Sequence, residues 1–491
     1  MGKKKKSVTV GYRYYFGFFS GICRGAVDSL VSIKVGDEIA EHNDNGLIEG
    51  TGSIYIDKPN LFGGEKKEGG VQGIFKWFTG RPDQVCDPAV QSLLGGGAQP
   101  GFRGVTTFFY DGMTSAMNPY PKPWSVRVRR ALSGWMNDAP WYPEKAIIEL
   151  QDLNGKRIRA MNPAHIIYQL CTDKVFARGM ETTVIHEASF RQAADTLFDE
   201  KLGLCMKWSR TDSVKQFRQS VIDHINAVVY IDRGTTGDTG GKIVLKLIRN
   251  DYIASTLPVF TYDTGLLEIQ EAANASLAGS INEVVVKGVD PVTNNPIPGR
   301  AKNTSQIRAN GGVVNTQTKE YPGLPTVDLC NRVAQRDLRI HSQGLRRFRL
   351  TLDRRAWRIH PGQVFRISEP SRGIYDMVLR AGSINYGSLQ DGKISIIAVQ
   401  DVFSFPLQSF TGVVPPTWSK PSAEPILKRR RVFEVPYVIL AGTLDRADFN
   451  SIEFDDGYLG VIVEKPNGQH GGYNLAVRDG LPTSNDFPSE D

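Results

Sequence analysis

The sequence predicts a mainly β fold with an α+β middle, in which several small antiparallel β-barrels or sandwiches accompany one helical unit. Three observations carry that prediction. Short stretches that alternate polar and apolar residues with period two recur from Ser32 to Gln400. Fifty glycines and 27 prolines supply tight turns at close intervals. Helical periodicity is confined to one block beginning at Asn162 and one later stretch, Thr326–Leu338. At roughly 100–200 residues per domain the chain also exceeds a single core. The expected parts are 1–145, a β-rich domain with glycine-rich loops; 146–258, an α+β domain; 259–415, a β-barrel domain with one helix near 326–338; and 416–491, a proline-rich linker with a short β segment.

In the first part, Ser32-Ile33-Lys34-Val35 and Ser53-Ile54-Tyr55-Ile56 read as half-buried strands. Phe62-Gly63-Gly64-Glu65, Glu68-Gly69-Gly70 and Gly95-Gly96-Gly97 connect them. Asn118–Pro123 holds extended backbone because residues before proline avoid the helical region, and Ser125–Arg129 returns to alternation.

In the second part, Asn162-Pro163 is an N-cap followed by proline at the first helical position, with Ile166, Ile167, Leu170 and Cys171 as the apolar stripe. Ser189 with Gln192 predicts a capping box for a second helix, whose stripe is Phe190, Ala193, Ala194, Leu197 and Phe198. Ser213 with Gln216 predicts a third, burying Val214, Phe217, Val221 and Ile225. A hairpin follows, Val228–Asp232 and Lys242–Arg249 around the glycine-rich Gly234–Gly241.

The third part begins with strands such as Glu283–Lys287, then the helix burying Leu329, Cys330, Val333 and Ala334. Phe348, Leu350 and Leu352 face one way and Arg347, Arg349 and Thr351 the other. Trp357–His360 and Gln363–Ile367 are expected as strands about the Pro361-Gly362 turn, with Met377–Arg380 and Lys393–Gln400 after them. Together these predict a closed or nearly closed antiparallel barrel.

A net charge of +7 permits a polyanionic partner without requiring one. Lys3–Lys6 and Lys428–Arg431 read as solvated charge runs. The five cysteines form no CxxC pair, and their odd count argues against a disulfide framework. No apolar run reaches the ~18 residues of a membrane helix. Tyr12-Arg13-Tyr14-Tyr15 interrupts any signal-peptide apolar region, so synthesis in a cytoplasm without export is expected. No catalytic, cofactor or metal residue is assigned. Gly240-Gly241-Lys242 lacks the hydroxyl residue of a P-loop, since Ile243 follows, and His186-Glu187 has Phe190 where a zincin has its second histidine. His224 and His360 read as ordinary hydrogen-bonded or surface side chains. Asp455-Asp456-Gly457 reads as turn chemistry.

The main charge feature is the set Arg332, Arg336, Arg339, Arg346, Arg347, Arg349, Arg354, Arg355 and Arg358. It is either a phosphate-neutralising surface or a subunit contact. A stacking platform for nucleic acid needs interleaved aromatics, and only Phe348 and Trp357 qualify. The contact reading is therefore preferred, with Arg346, Arg347, Arg349, Arg354, Arg355 and Arg358 as its candidate residues.

Met377–Arg380, Ile384-Asn385-Tyr386-Gly387, Asp391-Gly392-Lys393 and Ile397–Phe403 resemble the central tail proteins of siphophages, the lambda-type tip attachment (host specificity) family. So do Gly11–Tyr15, Cys23–Asp28, Asn60–Glu65, Phe102-Arg103-Gly104 and Asn118–Trp124 near the start. Pro163–Tyr168, Ser189–Leu204, Val229–Asp232 and Val244–Arg249 are similar to its helical middle. Gln363 stands where the family commonly has Asp. The resemblance implies a multi-domain hub without enzymatic activity or cofactor, a homotrimer at the distal tail of the virion. Its barrel domains would form a pseudo-hexameric ring that continues the tail tube, with a channel for DNA. It implies as partners the distal tail ring protein, the tape-measure protein's C-terminus and tail fibre or receptor-binding proteins. The family's long C-terminal fibre regions have no counterpart before Asp491, so separately encoded fibres are expected, and the cysteine spacing gives an iron–sulphur module no support. A tail-associated peptidoglycan hydrolase and a nucleic-acid-binding protein are the alternatives.

Overall fold

A computed structural model of the chain describes residues 12–404, apart from 65–66, 136–138, 153–154, 156, 210–212, 235–239, 274–280, 343–344 and 389, and residues 430–463, apart from 454–456. The Lys3–Lys6 and proline-rich stretches and Asp455-Asp456 lie outside the described residues. The chain divides into two units, 1–414 and 415–491.

The first unit opens with a β-sandwich. Its strands are β1 (Arg13–Arg24), β2 (Ser29–Val35), β3 (Glu38–His42), β4 (Ile48–Glu49), β5 (Gly52–Lys58), β6 (Val71–Phe78), β7 (Val105–Ala116) and β8 (Trp124–Arg129). One sheet runs β1-β7-β6-β5; the other pairs β2 with β3, β4 and β8. Period two places Ile33, Val35, Ile56, Phe75, Trp77, Phe108 and Tyr110 in the shared core. Tyr110 points its hydroxyl across the glycines at 73 and 112 to donate to the Met113 carbonyl, 2.6 Å away. A short helix α1 (Pro88–Leu93) lays Val90 against Phe78 and Phe109 on the sheet's far face.

The middle comprises β9 (Ile147–Gln151), β10 (Arg157–Met161), α2 (Pro163–Thr172), α3 (Glu187–Asp199), α4 (Val214–Ile225), β11 (Ala227–Ile231) and β12 (Ile243–Leu247). Asn162 caps α2 as expected, its Oδ1 accepting from Ala164 N–H, while Nδ2 donates to the carbonyls of Lys145 and Ala194. Ser213 and Gln216 close the capping box of α4. The box expected at Ser189 is not made. The α3 helix starts two residues earlier, and Ser189 Oγ donates to the His186 carbonyl while accepting from Leu245 N–H. A tertiary partner on β12 has taken the hydroxyl a cap would have used. The predicted stripe is nevertheless inward, with Phe190, Ala193, Ala194 and Leu197 buried. Full burial of a side chain such as Phe190 stabilises by about 2–3 kcal/mol.

The remainder of this unit contains β13 (Val259–Phe260), β14 (Leu266–Ala273), β15 (Glu283–Val289), β16 (Pro296–Lys302), α5 (Thr304–Ala309), β17 (Thr316–Glu320), α6 (Val327–His341), β18 (Arg347–Leu352), β19 (Val364–Glu369), β20 (Ile374–Asn385) and β21 (Ile394–Gln400). The sheet β16-β15-β17 carries α6 on one face, and its core residues Val284, Val286, Leu329, Cys330 and Leu338 are continuous with those of α2, α3 and α4. Close approach of α6 depends on Gly299: a Cβ there would stand 2.3 Å from the Cys330 carbonyl carbon. The six strands β13-β19-β20-β21-β18-β14 form a curled half-barrel around Phe348, Leu350, Leu352, Phe365, Leu379 and Ile396. Its two edge strands are joined by the turn 261–265 without pairing to each other, so the barrel is left open. Two pairings are parallel rather than antiparallel, β13 with β19 and β15 with β17. The expected strand Trp357–His360 is a 3-10 turn from Arg354 to Arg358, because Asp353 caps it by accepting from Arg355 N–H. All five cysteines are free, and burial pushes the thiols of Cys205 and Cys330 up to about 12.

The second unit pairs β22 (Arg430–Glu434) with β23 (Leu459–Val463) and places α7 (Tyr437–Thr443) and α8 (Arg446–Asn450) between them in sequence. Among the described residues no helix is long and apolar enough to cross a membrane.

Candidate interaction surface

Strand β18 builds the site. Phe348, Leu350 and Leu352 are fully buried, so alternation turns Arg347 and Arg349 to the opposite face. Directly across from Arg349 lie Gln270 on β14 and Ile397 on β21; across from Arg347 lie Ala273 and Val399. Both arginines are exposed and neither makes an ion pair or hydrogen bond among the described side chains. Ile397, directly across from Arg349, is exposed by 38%, while Glu268, diagonal to Arg349, is bonded to Gln270 and Thr351. The face is therefore cationic and apolar at once, the mixture favoured at protein contacts over that of a phosphate-binding groove.

The other predicted arginines divide. Arg354 donates to the Tyr386 carbonyl at 2.9 Å and to that of Ser388, tying the 3-10 turn to the end of β20. Arg355 pairs with Asp353 at 2.7 Å and donates to the Asp263 carbonyl. Arg346 lies 5.1 Å over the Phe348 ring, and Arg358 is exposed 5.3 Å from the half-exposed Trp357. Arg332, Arg336 and Arg339 are spent inside the fold, donating to the carbonyls of Glu200, His224 and Val402. Sequence proximity thus gathered three populations into one set, and the outward one is Arg347, Arg349 and Arg358.

The histidines are hydrogen-bonded, as expected. His224 Nδ1 donates to the Ser220 carbonyl and Nε2 accepts from Gly323 N–H, which requires the neutral ring; burial lowers its pKa to about 4. His360 stacks on Tyr230, ring centres 4.8 Å apart. Among the described residues no group of three or more histidine, cysteine, aspartate or glutamate side chains could hold a metal ion.

One buried polar junction escaped the sequence reading. Arg380 and Asp401 pair at 2.9 Å, and Tyr252 donates to the same carboxylate. Arg380 also donates to the carbonyls of Gly362 and Arg249, joining the half-barrel to the segment that leaves β12. Val378 and Arg380 share the outer face of β20 yet are buried, so that part of the face is covered. The signal was present only in part: a strand apolar on both faces, Val378-Leu379, marks two-sided burial.

Residues 299–383, from β16 to β20, match the family described as "Putative phage tail protein". No curated protein matches the chain. Among solved structures, the virion of the native gene transfer agent particle contains a similar chain, 13% identical with a TM-score of 0.49, covering 81% of each chain. The tail protein from Neisseria meningitidis MC58 is 10% identical, TM-score 0.34, covering 76% of this chain and 96% of that one. The 43 kDa tail protein of prophage MuSo2 from Shewanella oneidensis is 10% identical, TM-score 0.32, covering 77% and 99%. Over the matched segment, which holds the arginine strand, the chain is similar to phage tail proteins, and the expectation drawn from its sequence is met at that level.

Proposed function

We propose that the chain is the structural hub of the distal tail tip, or baseplate, of a tailed phage. In this reading three copies close the tail tube in a pseudo-hexameric ring and leave a channel through which DNA passes without specific binding. The distal tail ring protein lies above, the tape-measure protein's C-terminus within, and fibre or receptor-binding proteins below. The protein acts as a virion component and not as an enzyme, and its parts follow the divisions at 145, 258 and 415.

The observation that carries the reading is the family match over 299–383, which falls on α6 with its neighbours β16 and β17 and on three of the six half-barrel strands, β18, β19 and most of β20. The open edges of both sheets support it, since among the described residues β1, β5, β13 and β14 each have one unpaired side that an assembly would cover. The exposed arginine face supports it as a subunit contact in which Arg347, Arg349 and Arg358 point outward and Arg346, Arg354 and Arg355 lie at its border. The test is the copy number at the tip of assembled tails, by imaging and by native mass. Three copies are expected; a persistent monomer that never enters tails overturns the proposal. Incubation with purified cell walls should release no soluble fragments.

A further inference from the structure

The geometry points to a head-to-tail contact in which the Arg347–Arg349 strip of one copy receives the β2–β3 hairpin tip, Asp37-Glu38, of a second copy. The inference rests on reading the arginine face as a subunit contact and names what fills it.

The strip attracts an anion, because two guanidinium groups stand on one face of one strand with uncharged residues directly across on both neighbours, and the diagonal Glu268 is bonded to Gln270 and Thr351 rather than to either arginine. Ile397, exposed directly across from Arg349, calls for the same occupant also to bring apolar surface. The hairpin tip has both. Asp37 is fully exposed, with only Lys34 at 4.0 Å. Glu38 is exposed and has no hydrogen bond or ion pair among the described residues. Ile39 beside it is 52% exposed, out of place on a solvated hairpin.

The tip is also held ready. Val35 and Glu38 pair across a two-residue turn, with Gly36 at φ +61° and its N–H donating to the Pro123 carbonyl. The nearest other cation, Lys122, is already taken by Glu68 at 2.6 Å. A doubly acidic tip with an isoleucine shoulder complements a doubly basic strip that has its own isoleucine shoulder. Because the two patches lie on different parts of the chain, the contact is heterologous, the type that propagates around a ring. Each copy offers one tip and one strip, so a closed ring leaves neither unfilled.

The experiment is a charge swap on the full chain, read by native mass and by sedimentation at two salt concentrations. R347E/R349E and D37K/E38K should each weaken self-association by roughly a hundred-fold, since like charges then oppose. The four-fold variant, carrying both swaps, should restore it to within about ten-fold of wild type. Failure of the combination to recover overturns this pairing, as does either single swap leaving the wild-type oligomer intact. If the swaps leave the oligomer unchanged and instead abolish salt-dependent binding of a DNA duplex, the strip is a phosphate site and the proposal falls. If three copies are found in tails of both single-swap variants, the hub reading stands and this contact alone is lost. A wild-type chain that is monomeric and absent from tails removes both.

Discussion

Substituting Arg380 by methionine tests the buried junction between the half-barrel and the segment after β12. The guanidinium now makes two bonds to Asp401, at 2.9 and 3.4 Å, and one each to the carbonyls of Gly362 and Arg249, at 2.8 and 3.2 Å. Methionine fills the volume but satisfies none of them. Asp401 stays 3% exposed and keeps the Tyr252 hydroxyl as a donor. Breaking a buried pair from one side costs about 3–5 kcal/mol, and most of that is the abandoned carboxylate. Removing both charges, Arg380→Met with Asp401→Leu, should recover about 2 kcal/mol of the loss, because the apolar pair leaves only neutral groups, the Gly362 and Arg249 carbonyls and the Tyr252 hydroxyl, wanting partners. Hydrogen exchange over residues 249–260 and 361–381 reads the effect locally. At about 1.4 kcal/mol per decade, the single variant should exchange there roughly 100- to 3,000-fold faster, with the N-terminal sandwich unchanged. Acceleration below about five-fold in the single variant, or a double variant worse than the single, would refute the assignment of that pair as the junction's lock.

Gly299→Val should cost at least about 3 kcal/mol and detach α6 from β16, since even a Cβ would lie 2.3 Å from Cys330; the check is loss of the cooperative thermal transition, with Ser a milder intermediate. Asn162→Ala should cost about 2 kcal/mol by removing a cap and orphaning the carbonyls of Lys145 and Ala194, read from denaturant midpoints. Glu283 is buried, which raises its pKa, but hydrogen bonds from Arg300, Thr316 and Lys302 outweigh that and hold it below the usual carboxylate range. A folded pKa below the unfolded one means its stabilisation is present above about pH 4.3 and fades as pH falls through the folded value. Glu283→Gln should therefore lower the melting temperature at pH 7 and narrow its gap from wild type as pH drops from 4.5 to 3; a constant gap would contradict this.

The sequence announced elements whose signals are local. Asn162-Pro163, the Ser213–Gln216 box and the alternation of Phe348, Leu350 and Leu352 each need only neighbouring residues, and each is present as read. Local signals failed where another group, near or far, competed. Ser189 carries the letters of a cap, but β12 offers its hydroxyl a different bond. Trp357 and Arg358 alternate like a strand, but the Asp353 carboxylate winds them into a turn. The two parallel pairings join segments far apart in sequence, β13 to β19 above all, and no short-range pattern encodes them.

The arginine face shows the same division at the level of function. A run of nine arginines looks uniform in sequence, yet side-chain reach decides what each one does. Those on α6 meet carbonyls of neighbouring segments, and Arg354 meets carbonyls at the end of β20. On β18 the cations are left unspent because the strand is buried on one face and its direct cross-strand neighbours are uncharged. That condition is met at Arg347 and Arg349 because Gln270 and Ile397, rather than carboxylates, occupy the cross-strand positions of Arg349, and Ala273 and Val399 those of Arg347. Charge left unneutralised on a folded surface costs little in water, so its persistence carries no stability argument. It is informative because a strip that fold stability does not require is free to serve an encounter, and an apolar shoulder limits which encounter that is. A nucleic-acid backbone would gain nothing from Ile397, whereas an acidic protein tip with its own apolar shoulder would bury it.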